Sequence, residues 1–114
     1  MEPQQEYELG AAAFKAGHAA EGAAHLRNAA FAGHAEAQNQ LARIYFAQVK
    51  TRDDIANLEA AAQSGDHIAL FVLAMSLIEG RLLEKDTDKA MAALKHAAAL
   101  GNAMAEAMLS GGIR

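Results

Sequence analysis

ALFVLAMSLIEGRLLEKDTDKAMAALKHAAALG, residues Ala69 to Gly101, decides the fold. Ala69, Leu73, Ala74 and Leu77 recur at three- and four-residue spacing, which predicts a helix with one apolar face. Gly80 to Lys85 breaks the pattern and reads as a connector. Asp86 is placed to cap a second helix that packs through Ala90, Met91, Leu94, Ala97 and Ala98. Gly101 ends that helix, because glycine accepts the left-handed backbone a helix terminus commonly needs.

The same pattern recurs along the chain. Leu9, Leu41, Leu73 and Leu109 are separated by 32, 32 and 36 residues. Leu26, Leu58 and Leu94 follow this register, as do Phe14, Phe46 and Ile78. The pairs Ala29-Ala30, Ala61-Ala62 and Ala97-Ala98 each precede a glycine: Gly33, Gly65 and Gly101. A fixed period in this range predicts stacked supersecondary units, none of which buries its apolar face alone. The units run from about residue 4 to 33, 34 to 65 and 66 to 101, and a terminal helix over 102–110 covers the last of them. The whole chain, 1–114, reads as one domain.

In the second unit the first helix is expected over His34–Ala47, buried through Ala37, Leu41, Ile44 and Tyr45. Gln48-Val49-Lys50 forms a turn. Thr51 and Asp54 resemble a capping box with Asp in place of the usual Glu, ahead of a helix packed through Ile55, Leu58, Ala61 and Ala62. Gly65 stops it and Asp66 caps the next. The first unit starts near Gln4, turns at Gly17-His18 and stops at Gly33. The four additional residues of the third unit belong to the Gly80–Lys85 connector, and the tail Gly111–Arg114 is expected to fray.

Composition narrows the function. The chain has 114 residues, a net charge of −4, no cysteine and a single proline, Pro3. Disulfides and thiolate metal or redox chemistry are excluded. The acidic balance argues against nucleic acid or an anionic membrane as partner. The apolar run Ile68–Ile78 is too short for a bilayer, which takes about 20 residues, and Met1–Glu6 has no signal-peptide core. A cytoplasmic protein is expected.

The stretch Ala69-x3-Leu73-Ala74-x2-Leu77-x2-Gly80-x2-Leu83-x2-Asp86-x2-Lys89-Ala90-x6-Ala97-Ala98-x2-Gly101 resembles a Sel-one-like repeat, a relative of the tetratricopeptide repeat. The second unit is similar with a shortened connector, and the first, with Leu9-Gly10, Phe14, Gly17 and Glu21, sits between the two families. The family often has glycine after the repeated leucine. Here Ala42 and Ala74 stand there and only Gly10 agrees, and the family's aromatic pair in the second helix is replaced by Ala93 and Leu94. The resemblance implies an all-α, short right-handed solenoid of about three antiparallel helix pairs with a C-terminal capping helix. It implies a scaffold or peptide-binding role and no catalytic residues.

Chemistry-bearing residues are sparse in pattern. His18, His25, His34, His67 and His96 never stand three or four apart, so no helix face presents a metal-binding pair, and they read as exposed or capping residues at turns. Asp53-Asp54 and the Glu84–Asp88 cluster read as helix-start carboxylates. No catalytic, metal or cofactor-binding residue is assigned, and no cofactor is expected.

The informative surface lies opposite the repeated leucines. With about 100° per residue, positions −2, +2, +5 and +6 fall on the far side of each first helix. In a tetratricopeptide-like stack that side lines the concave face. It collects Tyr7, Phe14, Asn39, Arg43, Phe46, Phe71, Met75, Ile78 and Glu79. Aromatic anchors beside an arginine suit a protein or peptide partner. Phe14, Phe46 and Ile78 repeat with the register, as inter-repeat packing residues do; Tyr7, Phe71 and Met75 are expected to be exposed. An accessory regulatory or substrate-recruiting domain of a larger enzyme, or a homodimerisation module, are the alternatives.

Overall fold

The computed structural model describes residues 1–112; Ile113 and Arg114, part of the tail expected to fray, lie outside the described residues. The described residues form seven α-helices and no strand: α1 (Pro3–Lys15), α2 (Ala19–Phe31), α3 (Ala35–Gln48), α4 (Arg52–Gln63), α5 (His67–Glu79), α6 (Thr87–Ala99) and α7 (Ala103–Ala107). A π-helical turn, Met108–Gly112, continues α7 into the first two residues of the tail expected to fray. No described helix is long and apolar enough to cross a membrane. The chain separates within α3 into two compact units, Met1–Leu41 and the residues from Ala42 onward.

Helix ends follow one device. Gly33, Gly65 and Gly101 take φ of 102°, 97° and 100°, a region where a Cβ is strained. At each, the glycine N–H donates to the second repeated alanine (Ala30, Ala62, Ala98), and the next N–H, of His34, Asp66 or Asn102, donates to the first (Ala29, Ala61, Ala97). This is a Schellman closure. The residue after the glycine then caps the following helix: His34 Nδ1 accepts from Ala37 N, Asp66 Oδ1 from Ala69 N, and Asn102 Oδ1 from Ala105 N. The Thr51–Asp54 capping box is present as expected: Asp54 N donates to Thr51 Oγ1, and Asp54 Oδ2 accepts from Lys50 N and Thr51 N. Those backbone donors hold the Asp54 carboxyl below its ordinary pKa.

In the first unit, α1 meets α2 through small residues. A Cβ added at Gly10 would lie 3.2 Å from the Gly22 carbonyl oxygen, and one at Gly22 would lie 2.8 Å from the Phe14 ring. Leu26, Ala29 and Ala30 are buried on α2. Across the pair, His25 Nδ1 donates to Glu6 Oε2 at 2.7 Å, and this bond keeps the Glu6 carboxyl below its usual range.

One expectation fails here. The repeated leucines do not all turn inward: Leu41 is 2% exposed and Leu73 8%, but Leu9 is 42% exposed. Gly10 and Phe14 make close approaches to α2, Ala13 is buried, and Leu9 sits about 100° round the helix from Gly10.

In the second unit, α5 is buried without a break from His67 to Ala74, and again at Ser76. A helix apolar on all sides belongs inside. It packs against α4 and α6, and α6 packs against α7. Ile55 and Leu58 of α4, and Ala90, Leu94 and Ala97 of α6, complete this core.

Burial predicts the outcome of two substitutions in the same register. Leu41→Ala should cost about 2–5 kcal/mol and Leu9→Ala under about 1 kcal/mol. Urea denaturation followed by circular dichroism measures both, and equal losses would contradict the burial described.

Candidate functional site

The residues proposed to line a binding face fall in both units. In the first unit, Tyr7 is held in place. Its ring stacks on His34 with centroids 4.5 Å apart and planes 19° from parallel. Gln40 Nε2 donates to its hydroxyl at 2.7 Å. His34 Nε2 donates to Gln4 Oε1 at 2.8 Å, and Gln4 Nε2 donates to Glu8, so the polar ends of this cluster are satisfied. Tyr7 is thus half-buried in a packed cluster, where a fully free anchor was expected. Phe14 lies against the α2 backbone at Gly22, yet is 41% exposed, more than its repeat position suggests. Asn39 is exposed.

In the second unit, Arg43 and Glu79 are exposed, while Phe46, Met75 and Ile78 are half-buried. Arg43 and Phe46 stand three apart on α3, and Met75, Ile78 and Glu79 stand at helical spacing on α5. Two bonds join residues of α3 and the turn after it to the segments flanking α5: Tyr45 Oη donates to Asp66 Oδ2 at 2.6 Å, and Arg81 Nη2 donates to the Val49 carbonyl at 2.8 Å. Phe71 corrects the sequence reading. It is 8% exposed and belongs to the core, because α5 is buried all round over that stretch and leaves no outward side.

His67 is a second correction. Its sequence position suggests an exposed or capping residue at a turn, yet it is 4% exposed and the cap is Asp66. The continuous apolar run that begins at Ile68 was the available signal: a helix start that enters the core takes its first residues with it. Gln38 and Asn102 are likewise fully buried, and Gln38 Nε2 donates to the Ala30 carbonyl.

The connector after α5 also carries a feature that spacing does not reveal. Leu82 takes φ 63°, a left-handed conformation that costs a non-glycine residue about 1–2 kcal/mol. Gly80, at φ 72°, ends α5, and Asp86 N donates back to the Leu77 carbonyl, closing the loop. Clefts lie on both sides of Leu83. One, of about 350 Å³, is lined by Arg52, Ile55, Glu59, Leu82, Leu83 and Glu84; the other, of about 360 Å³, by Leu77, Leu83, Glu84, Lys85, Asp86 and Lys89.

Among the described residues no three His, Cys, Asp or Glu side chains form a group able to hold a metal ion. Comparison with protein-family models, with curated proteins and with solved structures finds no match.

Two neighbouring proposals separate on stability alone. Phe71→Ala should lower the unfolding free energy by about 3–5 kcal/mol, as loss of a buried aromatic does, and Arg43→Ala should change it by less than about 0.5 kcal/mol. Thermal melts of the two variants give the comparison.

Proposed function

We propose that the chain is a non-enzymatic protein-interaction module, a short right-handed α-solenoid of antiparallel helix pairs related to the Sel-one-like and tetratricopeptide repeats. Three observations support the repeat reading: the leucine register, the threefold Gly closure and the capping residue that follows each glycine. The observation that carries the function is on the second unit. Phe46, Met75 and Ile78 keep part of their apolar surface in water, and Arg43 on the helix of Phe46 and Glu79 on the helix of Met75 and Ile78 are exposed charges. Apolar anchors ringed by polar groups are the composition of interface hot spots. A partner peptide or helix buries its own apolar side chains there, and Arg43 and Glu79 fix its orientation.

A second reading, self-association, is favoured by Leu9 and Met1, which are exposed and line a cleft with Gln5 and Glu8. Light scattering over a range of concentrations separates a homodimer from a monomer that awaits a different partner.

The binding reading is tested on a partner recovered by affinity purification with the wild-type chain. Arg43→Ala and Met75→Ala should each weaken its binding by about tenfold or more, the loss that hot-spot truncation brings. Both variants should melt within a few degrees of wild type. Unchanged affinity in both would remove this surface from the interaction.

A further inference from the structure

The junction between α6 and α7 holds a buried polar pair. His67 opens α5, and Asn102 caps α7. Asn102 Oδ1 accepts from Ala105 N at 2.9 Å, which fixes the side-chain amide: its nitrogen, not its oxygen, faces His67. Asn102 Nδ2 lies 3.1 Å from His67 Nδ1 and 3.4 Å from the His67 carbonyl oxygen. An amide nitrogen only donates, so His67 Nδ1 must carry a lone pair, and the proton of the neutral ring sits on Nε2.

We propose that this pair is a proton-operated latch: protonation of His67 at Nδ1 sets two donors against each other, releases Asn102 and loosens the C-terminal helical segment Ala103–Gly112. Asn102 cannot turn its oxygen to the ring without giving up the Ala105 cap. The Asn102 carbonyl also accepts from Glu106 N, so moving this one residue removes two of the bonds that start α7. Met104, Met108 and Leu109, all half-buried in this segment, gain exposure when it loosens.

The surroundings of the ring set the direction. Burial pushes the His67 imidazole below its ordinary range, opposed by the Asp66 carboxylate. Asp66 is itself held by Ile68 N, Ala69 N and Tyr45 Oη. A lowered value means that the folded state prefers the neutral ring. The latch is therefore complete above the ordinary imidazole value and is lost as pH falls from there through the lower folded value.

The test is amide hydrogen exchange by NMR on the full chain between pH 7.5 and about 4.5, with the His67 ring nitrogens followed in the same samples. At neutral pH the ring should show the Nε2–H tautomer. Protection at Ala105 and Glu106 should fall by up to about tenfold per pH unit below the ordinary imidazole value and level off once the folded-state ring is protonated, while Val72 in α5 stays protected. H67N places an amide oxygen where Nδ1 was and does not titrate, so Ala105 should keep its protection through acid. N102D still caps α7 but sets a carboxylate against the ring, so protection should rise on acidification. The latch is overturned if the ring is the Nδ1–H tautomer, if Ala105 and Val72 lose protection together, or if N102D keeps the wild-type direction. The N102D result decides the matter even where H67N fails to fold.

Discussion

The structure depends on one junction, made three times. At Gly33, Gly65 and Gly101 the backbone turns left-handed, and the two preceding carbonyls of a repeated alanine pair receive the last N–H groups. Every helix end has orphan carbonyls and every helix start orphan N–H groups. Here one short sequence disposes of both, since the residue that donates the final Schellman bond also caps the next helix. The alanines are small because the ladder must close against a packed surface; Ala29 and Ala97 are fully buried. What varies is the cap. His34, Asp66 and Asn102 occupy one register position with three different acceptors, and only the carboxylate and the amide keep their acceptor whatever the state of a ring.

That substitution pattern has consequences for the second unit. Asp66 and Asn102 stand in equivalent places, but His67 follows only the first of them and is drawn under the second. The core of this unit is apolar apart from a few polar groups, and those groups are bonded. No buried side-chain nitrogen or oxygen among the described residues lacks a partner. A buried polar group left without one costs about 1–3 kcal/mol. In the proposed latch, the protonation state of one imidazole of α5 reaches the backbone at the start of α7.

Much of this was legible in the residues. The leucine register and the Gly stops placed the helices within a residue or two, and Thr51, Asp66, Asp86 and Asn102 cap the helices that their types and spacing predict. Periodicity says which side of a helix is apolar; it does not say what covers that side. Leu9 has the register of Leu41 and Leu73 and is exposed, because α1 uses glycine and alanine for its contact with α2. Phe71 failed for the opposite reason. A wheel assigns every helix an outer side, whereas α5 has none between His67 and Ala74. Its apolar residues run through consecutive positions, and that continuity was the stronger signal. Tyr7 and His34 are far apart in sequence and meet only in the folded unit, so no local pattern announces their stacking.

The connector after α5 shows how the repeat absorbs an insertion. Four additional residues enter between Gly80 and Asp86, yet the Leu94 and Ala97-Ala98 register beyond them is kept, and Leu94 is fully buried. The loop is pinned at both ends, by Arg81 N on the Ser76 carbonyl and by Asp86 N on the Leu77 carbonyl, and from the side by Arg81 on Val49. Between these anchors Leu82 is forced into a backbone region that glycine would occupy without strain. Glycine there would relieve the backbone but remove an apolar side chain from the cleft it lines with Leu83 and Ile55. A strained residue persists only where its surroundings over-determine it. Here the three anchors do so, and Leu82 is kept in the lining of one cleft while Leu83 and Glu84, the residues that follow it, line both.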